Sequence, residues 1–312
     1  MIGDVVVLAY HEMGCTGLRA LLRRGVKVST VFTYADDPHE HCWFASVAAL
    51  ARQAGIPAIL TDTINDEAWV RHVAALKPDA LFSFYYRHLV GRPLLEIPRL
   101  GAFNLHGSLL PRYRGRCPVN WQLVHGERVS GVTLHVMTGR ADAGDIVAQE
   151  RVSVGTDDTA LQLYARLNAA AEVLLDRELG AVLSGRAARR PQDESQATVF
   201  GGRRPEDGRV DWRWPRARVH DLVRAVAPPW PGAFGELADG RLMLGRTSLE
   251  LRSGTPSPDP GRVAVRGGEV LIGAGDGSLR ILEWAAPGGR LLRDGEALVL
   301  GPTPLAPQEL HA

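Results

Sequence analysis

The chain has 312 residues, 45% of them hydrophobic and 23% charged, with a formal net charge of +1. That length allows one large or two ordinary domains, and the balance is globular rather than disordered. The near-neutral charge argues against a dedicated nucleic-acid binder, and no apolar run approaches the roughly eighteen residues of a membrane span. Cys15, Cys42 and Cys117 have neither zinc nor disulfide spacing, and residues 1–5 lack the basic region of a secretion signal, so a cytoplasmic protein is expected.

The first half alternates between two periods. Residues 5–9 read as a buried strand, 14–24 as a helix, 28–32 as a strand and 45–54 as a helix. Residues 58–60 then read as a short strand, 66–76 as a helix entered from Asn65, and 80–85 and 101–105 as strands. This rhythm predicts an α/β fold with an open, mostly parallel, Rossmann-like sheet, whose ligands gather beyond the carboxyl ends of the strands. Gly14-x-x-Gly17 follows the first strand, but His11, Glu12 and Met13 occupy the turn and Gly-x-Gly-x-x-Gly is missing. Close helix–strand packing is therefore expected there and no NAD. The loop 33–42 holds Asp36, Asp37 and Glu40 with no Lys or Arg, and its His39, His41 and Cys42 lack a second ligand pair, so no metal is expected.

Residues 103–116 carry the densest chemistry: Phe-Asn-Leu-His-Gly-Ser-Leu-Leu-Pro-Arg-Tyr-Arg-Gly-Arg. Period-two alternation puts Asn104 and His106 on one face of a strand end. Asn104 can donate a neutral hydrogen bond and His106 can carry a proton near neutral pH. After a turn set by Gly107 and Pro111 come Arg112, Arg114 and Arg116. A proton carrier, an oxyanion donor and an anion clamp suit acyl transfer involving a charged substrate. Residues 131–137 alternate as a half-buried strand, and just beyond them lies Asp142, in Arg140-Ala141-Asp142-Ala143-Gly144-Asp145. If the two strands are neighbours, this carboxylate can orient His106 and favour its charged form. Taken alone, each residue also has a plainer reading: His106 as a capped loop histidine, Asn104 bonding its own turn, Asp142 as a turn residue.

Further on, Thr156-Asp157-Asp158 opens a helix over 159–179, and 185–198 is polar and aperiodic, with Gly185 and Pro191 as breakers. From Val210 onward, candidate strands at 241–244, 263–265, 270–272 and 279–282 alternate with Gly-rich and Pro-rich turns, which predicts a small β-barrel. The expected division is 1–190 as a catalytic domain, 191–205 as a linker and 206–312 as a carboxy-terminal domain.

In Asn104-x-His106, Ser108 to Gly115 and Asp142, the chain resembles the folate-dependent formyltransferases. Asp211-Trp212 and Pro229-Trp230-Pro231-Gly232-Ala233-Phe234 resemble that family's second, OB-like domain. The resemblance implies catalysis by Asn104, His106 and Asp142. It also implies a site for 10-formyltetrahydrofolate lined by His88, Leu89, Val90, Arg116, Thr138, Gly139, Arg140 and Ala141. The segments 9–15, 82–89 and 140–144 resemble more narrowly the branch whose acceptor is UDP-4-amino-4-deoxy-L-arabinose, a lipid A modification linked to polymyxin resistance. In its best-known form that enzyme is fused to a dehydrogenase, and the expectation here is the transferase half alone. Tyr10, Ser108, Arg114, Arg203 and Arg204 are the candidates for holding the sugar nucleotide. Transfer to methionyl-tRNA is disfavoured, because that branch carries Lys and Arg where this chain has the acidic loop 33–42. A different amino sugar nucleotide, or a non-catalytic nucleotide-sugar module, stay as alternatives.

Overall fold

A computed structural model describes residues 3–35, 43–251 and 256–301. The charge and metal readings of Asp36, Asp37, His39, Glu40, His41 and Cys42 lie outside these residues. In chain order the elements are β1 (Asp4–Ala9), α1 (His11–Arg23), β2 (Lys27–Thr33), α2 (Val47–Gln53), β3 (Ala58–Leu60), α3 (Glu67–Leu76), β4 (Ala80–Phe84), α4 (Arg92–Leu95) and β5 (Ala102–His106). Then come β6 (Arg114–Gly115), α5 (Pro118–Val124), β7 (Val129–Val136), β8 (Ile146–Ser153), α6 (Ala160–Leu183), β9 (Val199–Phe200) and α7 (Arg216–Val226). The last strands are β10 (Ala233–Leu237), β11 (Gly240–Ser248), β12 (Val263–Arg266), β13 (Glu269–Ala274) and β14 (Gly277–Ala285). The chain divides into two compact units: Met1–Gly115, Val129–Val152 and Ala165–Val199 in one, Arg116–Arg128, Ser153–Tyr164 and Phe200–Ala312 in the other.

The first unit holds a seven-stranded sheet in the order β3-β2-β1-β4-β5-β7-β8. Its pairs from β3 to β5 are parallel, whereas β7 runs antiparallel to β5. Val5 to Ala9 on β1 are completely buried, as a strand covered on both faces must be, which is why it reads as an unbroken apolar run. The Gly14 and Gly17 pair does what was expected of it. A Cβ on Gly17 would sit 2.4 Å from the Phe84 ring, and one on Gly14 would lie 3.0 Å from Val47, so α1 packs close because two side chains are missing.

The second unit holds a five-stranded antiparallel sheet in the order β10-β11-β14-β13-β12. Its two edge regions are joined by residues 296–299. The Val299 N–H donates to Glu236 O on β10 at 2.8 Å, Leu298 N–H to Gly261 O at 2.8 Å, and Val263 N–H on β12 to Glu296 O at 2.9 Å.

Sequence reading missed several elements, each for a physical reason. α5 starts at a proline after Cys117 in the left-handed region, and seven residues are too few to show a period. β8 is mostly half-buried, so it shows no clean alternation. β10 is interrupted by Gly235, whose absent Cβ admits Leu298 and Trp212 at about 3 Å. The stretch 191–205 is not a free connector in its first half. Gln192 donates to Asp142 O and Gly144 O, and Thr198 bonds Pro111 and Arg114. It looked aperiodic because what ties it down is polar: Gln192 and Thr198 bond distant backbone, while Asp193, Ser195 and Gln196 stay exposed.

Gly17→Ala should lower stability by about 1–3 kcal/mol, the usual cost of overpacking, read as a fall in the urea midpoint. An unchanged midpoint would show that α1 does not need the gap above Phe84.

Candidate active site

The site begins with strand register. β5 and β7 pair antiparallel with Asn104 opposite His135 and His106 opposite Thr133, so these four side chains share one face. Thr133 then secures the following turn: its hydroxyl donates to Ser108 O at 2.6 Å and accepts from the Leu110 N–H at 3.1 Å. The loop after β7 returns Asp142 to the end of β5. Asp142 adopts φ 51°, and at Gly144 an added Cβ would lie 1.9 Å from Val136 O, so only glycine admits this approach.

These contacts bring Asn104, His106 and Asp142 together. His106 Nδ1 lies 3.5 Å from Asp142 Oδ2, and the Asn104 amide nitrogen is 3.4 Å from Asp142 Oδ1. His106 Nε2 faces Tyr113 O at 2.7 Å. A carbonyl oxygen only accepts, so Nε2 carries the hydrogen. Nδ1 faces a carboxylate, so the doubly protonated ring satisfies both neighbours, whereas the neutral ring points a lone pair at a negative charge. The Gly115 N–H also donates to Asp142 Oδ2 at 2.8 Å. Burial pushes the Asp142 carboxyl up, but His106, His135 and the Gly115 N–H together outweigh it and hold the group well below the usual carboxylate range.

His135 is the site residue that sequence reading passed over. Its Nδ1 donates to Val136 O at 2.9 Å. In the neutral ring Nε2 is then an acceptor, and it takes a hydrogen bond from the Asn104 amide nitrogen at 3.1 Å while lying 3.4 Å from Asp142 Oδ1. The Asn104 amide therefore has one hydrogen on His135 and a longer, weaker contact to Asp142. Its own strand did not single it out, because Ser130 and Thr133 are polar residues of the same strand; what marks it is Asn104 directly opposite.

The other expected residues fall into different places. Arg114 is 2% exposed and spends its guanidinium on Gln192 (3.1 and 2.7 Å) and Glu194 (3.1 and 2.7 Å). It is thus turned inward, with its guanidinium occupied by these two side chains. Ser108 is fully buried and donates to Arg112 O at 2.7 Å, so its hydroxyl is occupied by the turn. Val90 places its side chain in the core with Val6, Leu8 and Phe32, while Leu89 is 68% exposed. His88 Nδ1 lies 3.1 Å from the Tyr34 hydroxyl. Tyr10 is buried beneath the Arg87 guanidinium, 4.4 Å from its ring centre, beside Tyr34 and Phe44. Next to it His11 stacks on Phe44, and burial, helped by Arg87, lowers its pKa to about 3, so it stays neutral. Thr138 turns the loop by bonding Arg140 N and O, and Gly139, Arg140 and Ala141 stand open to solvent or nearly so.

Arg116, Arg203 and Arg204 belong to the second unit. There a hollow is lined by Cys117, Asn120, Arg203, Arg204 and Trp230. Arg203 lies over the Trp121 ring at 4.6 Å, and burial lowers its pKa. Among the described residues, no group of His, Cys, Asp and Glu could hold a metal ion, and no helix is long and apolar enough to cross a membrane.

The formyl transferase family pattern matches residues 17–179, and that of the formyl transferase carboxy-terminal domain matches 203–298. The fold resembles an N-formyltransferase from Helicobacter canadensis in complex with folinic acid and dTDP-3-aminofucose, at 18% identity, with 91% of this chain and 100% of that chain covered and a TM-score of 0.73. A sugar 3N-formyl transferase, WlaRD, solved with dTDP and 5-N-formyl-THF, matches at 16% identity over 91% of this chain and 98% of that one, with a TM-score of 0.70. Glycinamide ribonucleotide transformylase 1 from Symbiobacterium toebii matches at 26% identity over 62% of this chain and 95% of its own, with a TM-score of 0.53.

The depressed Asp142 carboxyl makes a stability prediction. Its ionised form contributes above the unfolded value of about 4, and that contribution fades as pH falls towards the lower folded value. The stability gap between wild type and Asp142→Asn, from urea unfolding, should be widest near pH 7 and shrink below about pH 4. A gap that stays constant to pH 3 would contradict this.

Proposed function

The chain belongs to the formyl transferase family, and we propose that it moves the formyl group of 10-formyltetrahydrofolate to the 4-amino group of UDP-4-amino-4-deoxy-L-arabinose. The observation that carries the mechanism is the pair of acceptors around His106, which favours the protonated ring in the resting site. The neutral amine attacks the formyl carbon. Asn104 redirects the amide hydrogen that makes the 3.4 Å contact with Asp142 onto the tetrahedral oxyanion, while its other hydrogen stays on His135. The carbon–N10 bond breaks as His106 gives its Nδ1 proton to N10, and the new ammonium sheds a proton that restores the imidazolium. Asp142 favours the charged ring before the transfer and again once it is restored, and orients it throughout. Arg116 and the loop 138–141 remain candidates for the folate. Arg114 spends its guanidinium on Gln192 and Glu194, and Arg203 and Arg204 stay candidates for the nucleotide.

The choice of sugar rests on the motif resemblance at 9–15, 82–89 and 140–144. A second reading has its own support: the similar Helicobacter canadensis enzyme was solved with dTDP-3-aminofucose, so a dTDP-linked amino sugar is the rival acceptor. The deciding experiment measures tetrahydrofolate release with 10-formyltetrahydrofolate and a panel of UDP-linked and dTDP-linked amino sugars, with methionyl-tRNA as a further acceptor. Turnover on the UDP-4-amino sugar well above the others is expected. Preference for a dTDP sugar or the tRNA would overturn the assignment.

In that assay Asn104→Ala should cost about 10²–10³ in kcat, the usual effect of removing one oxyanion donor. His106→Ala should cost at least about 10². Asp142→Asn removes the charge that favours the imidazolium, so the alkaline limb of the kcat profile should move to lower pH. A shift of the acidic limb alone would mean that His106 works as a base.

A further inference from the structure

Residues 190–198 bond the chain that supplies both partners of His106. On one side, Thr198 Oγ1 accepts from the Tyr113 N–H at 2.8 Å, and Thr198 O accepts from the Arg114 N–H at 2.9 Å. Tyr113, at φ 61°, supplies the carbonyl that receives His106 Nε2. On the other side, the Gln192 amide donates to Asp142 O and to Gly144 O, each at 2.7 Å. Asp142, at φ 51°, supplies the carboxylate opposite His106 Nδ1. Both partners of the imidazole therefore sit on left-handed, non-glycine backbone, a conformation that persists only when its surroundings impose it. One short segment imposes it on both. Gln192 is itself locked, because Arg114 Nε and Nη2 hold its Oε1 and the rest of the Arg114 guanidinium is fastened to Glu194.

We infer that Gln192 and Thr198 are positioning residues for His106, fixing the Asp142 loop and the Tyr113 carbonyl so that each ring nitrogen meets its acceptor. This rests on reading His106 as the proton donor. The inward turn of Arg114 then has a use: it leaves Gln192 no freedom to swing its amide away from the two carbonyls. A positioning role also explains why the Gln192 amide aims at two backbone carbonyls of the Asp142 loop rather than at solvent.

The test uses the full chain and two readouts. The first is NMR titration of the His106 ring without substrate, its signal identified by its loss in His106→Ala. Gln192→Met keeps the volume but removes both bonding ends. It should move the His106 midpoint to lower pH by at least about half a unit, because Asp142 is no longer held against the ring. The second readout is kinetic. Gln192→Met should lose about 10-fold to 10² in kcat, with KM within about twofold. Gln192→Glu, which still accepts from Arg114 but no longer donates to the two carbonyls, should lose kcat comparably. Thr198→Val should lose kcat more mildly, and Thr198→Ser, which keeps the hydroxyl, should behave as wild type. A wild-type titration with wild-type kcat in the Gln192 variants would overturn the inference, as would a loss confined to thermal stability. The titration needs neither formyl donor nor acceptor. A shifted midpoint in a chain that transfers no formyl group would support the positioning role and overturn the assigned reaction instead.

Discussion

A carboxylate taken out of water organises the site. Asp142 is only 12% exposed, and a buried charge is tolerated only when enough donors surround it. It has them around it: the Gly115 N–H, the Asn104 amide and the His106 ring, with His135 holding the Asn104 amide in place. Each of these contacts depends on a separate piece of chain folding correctly. The strand pair β5–β7 supplies three of the side chains, the 111–115 turn supplies the N–H, and the loop after β7 supplies the carboxylate. An isolated error in any of them leaves a buried charge with an empty side, so the geometry is held by the cost of its own failure.

Much of this was legible in the residues. β1 announces itself because a fully buried strand is a continuous apolar run, and Asn104 and His106 share a face because side chains alternate. Asp142 could be placed beside them only on the condition that its strand neighboured β5. That condition depends on topology: sequential order says nothing of whether β7 joins the sheet next to β5 or elsewhere. His135 was hidden by the same gap, since its importance comes from the residue opposite it and not from its own neighbours in sequence. The inward turn of Arg114 was hidden as well, because an arginine beside a polar turn reads as a cation for a ligand until Gln192 and Glu194 are seen to enclose it.

The stretch around 190–198 shows a general limit of periodicity. Apolar period detects segments that bury hydrocarbon. A segment that binds the rest of the protein through amides, hydroxyls and carbonyls has no period to detect, and its polarity makes it resemble solvent-exposed chain. Gln192, Glu194 and Thr198 carry their information in hydrogen-bond partners from 48 to 85 residues away in sequence. Such segments are recognisable only after the rest of the fold is known.

The joining of β10 and β12 through residues 296–299 has a consequence for solubility. The ends of a flat antiparallel sheet present rows of unpaired N–H and C=O groups, which are templates for pairing with another molecule. In the second unit these rows are partly used up by the chain itself, at Glu236, Gly261 and Val263. Nicking the chain ahead of Glu296 would uncover both borders at once. Filament-like self-association, rather than simple loss of activity, is the failure that such damage invites.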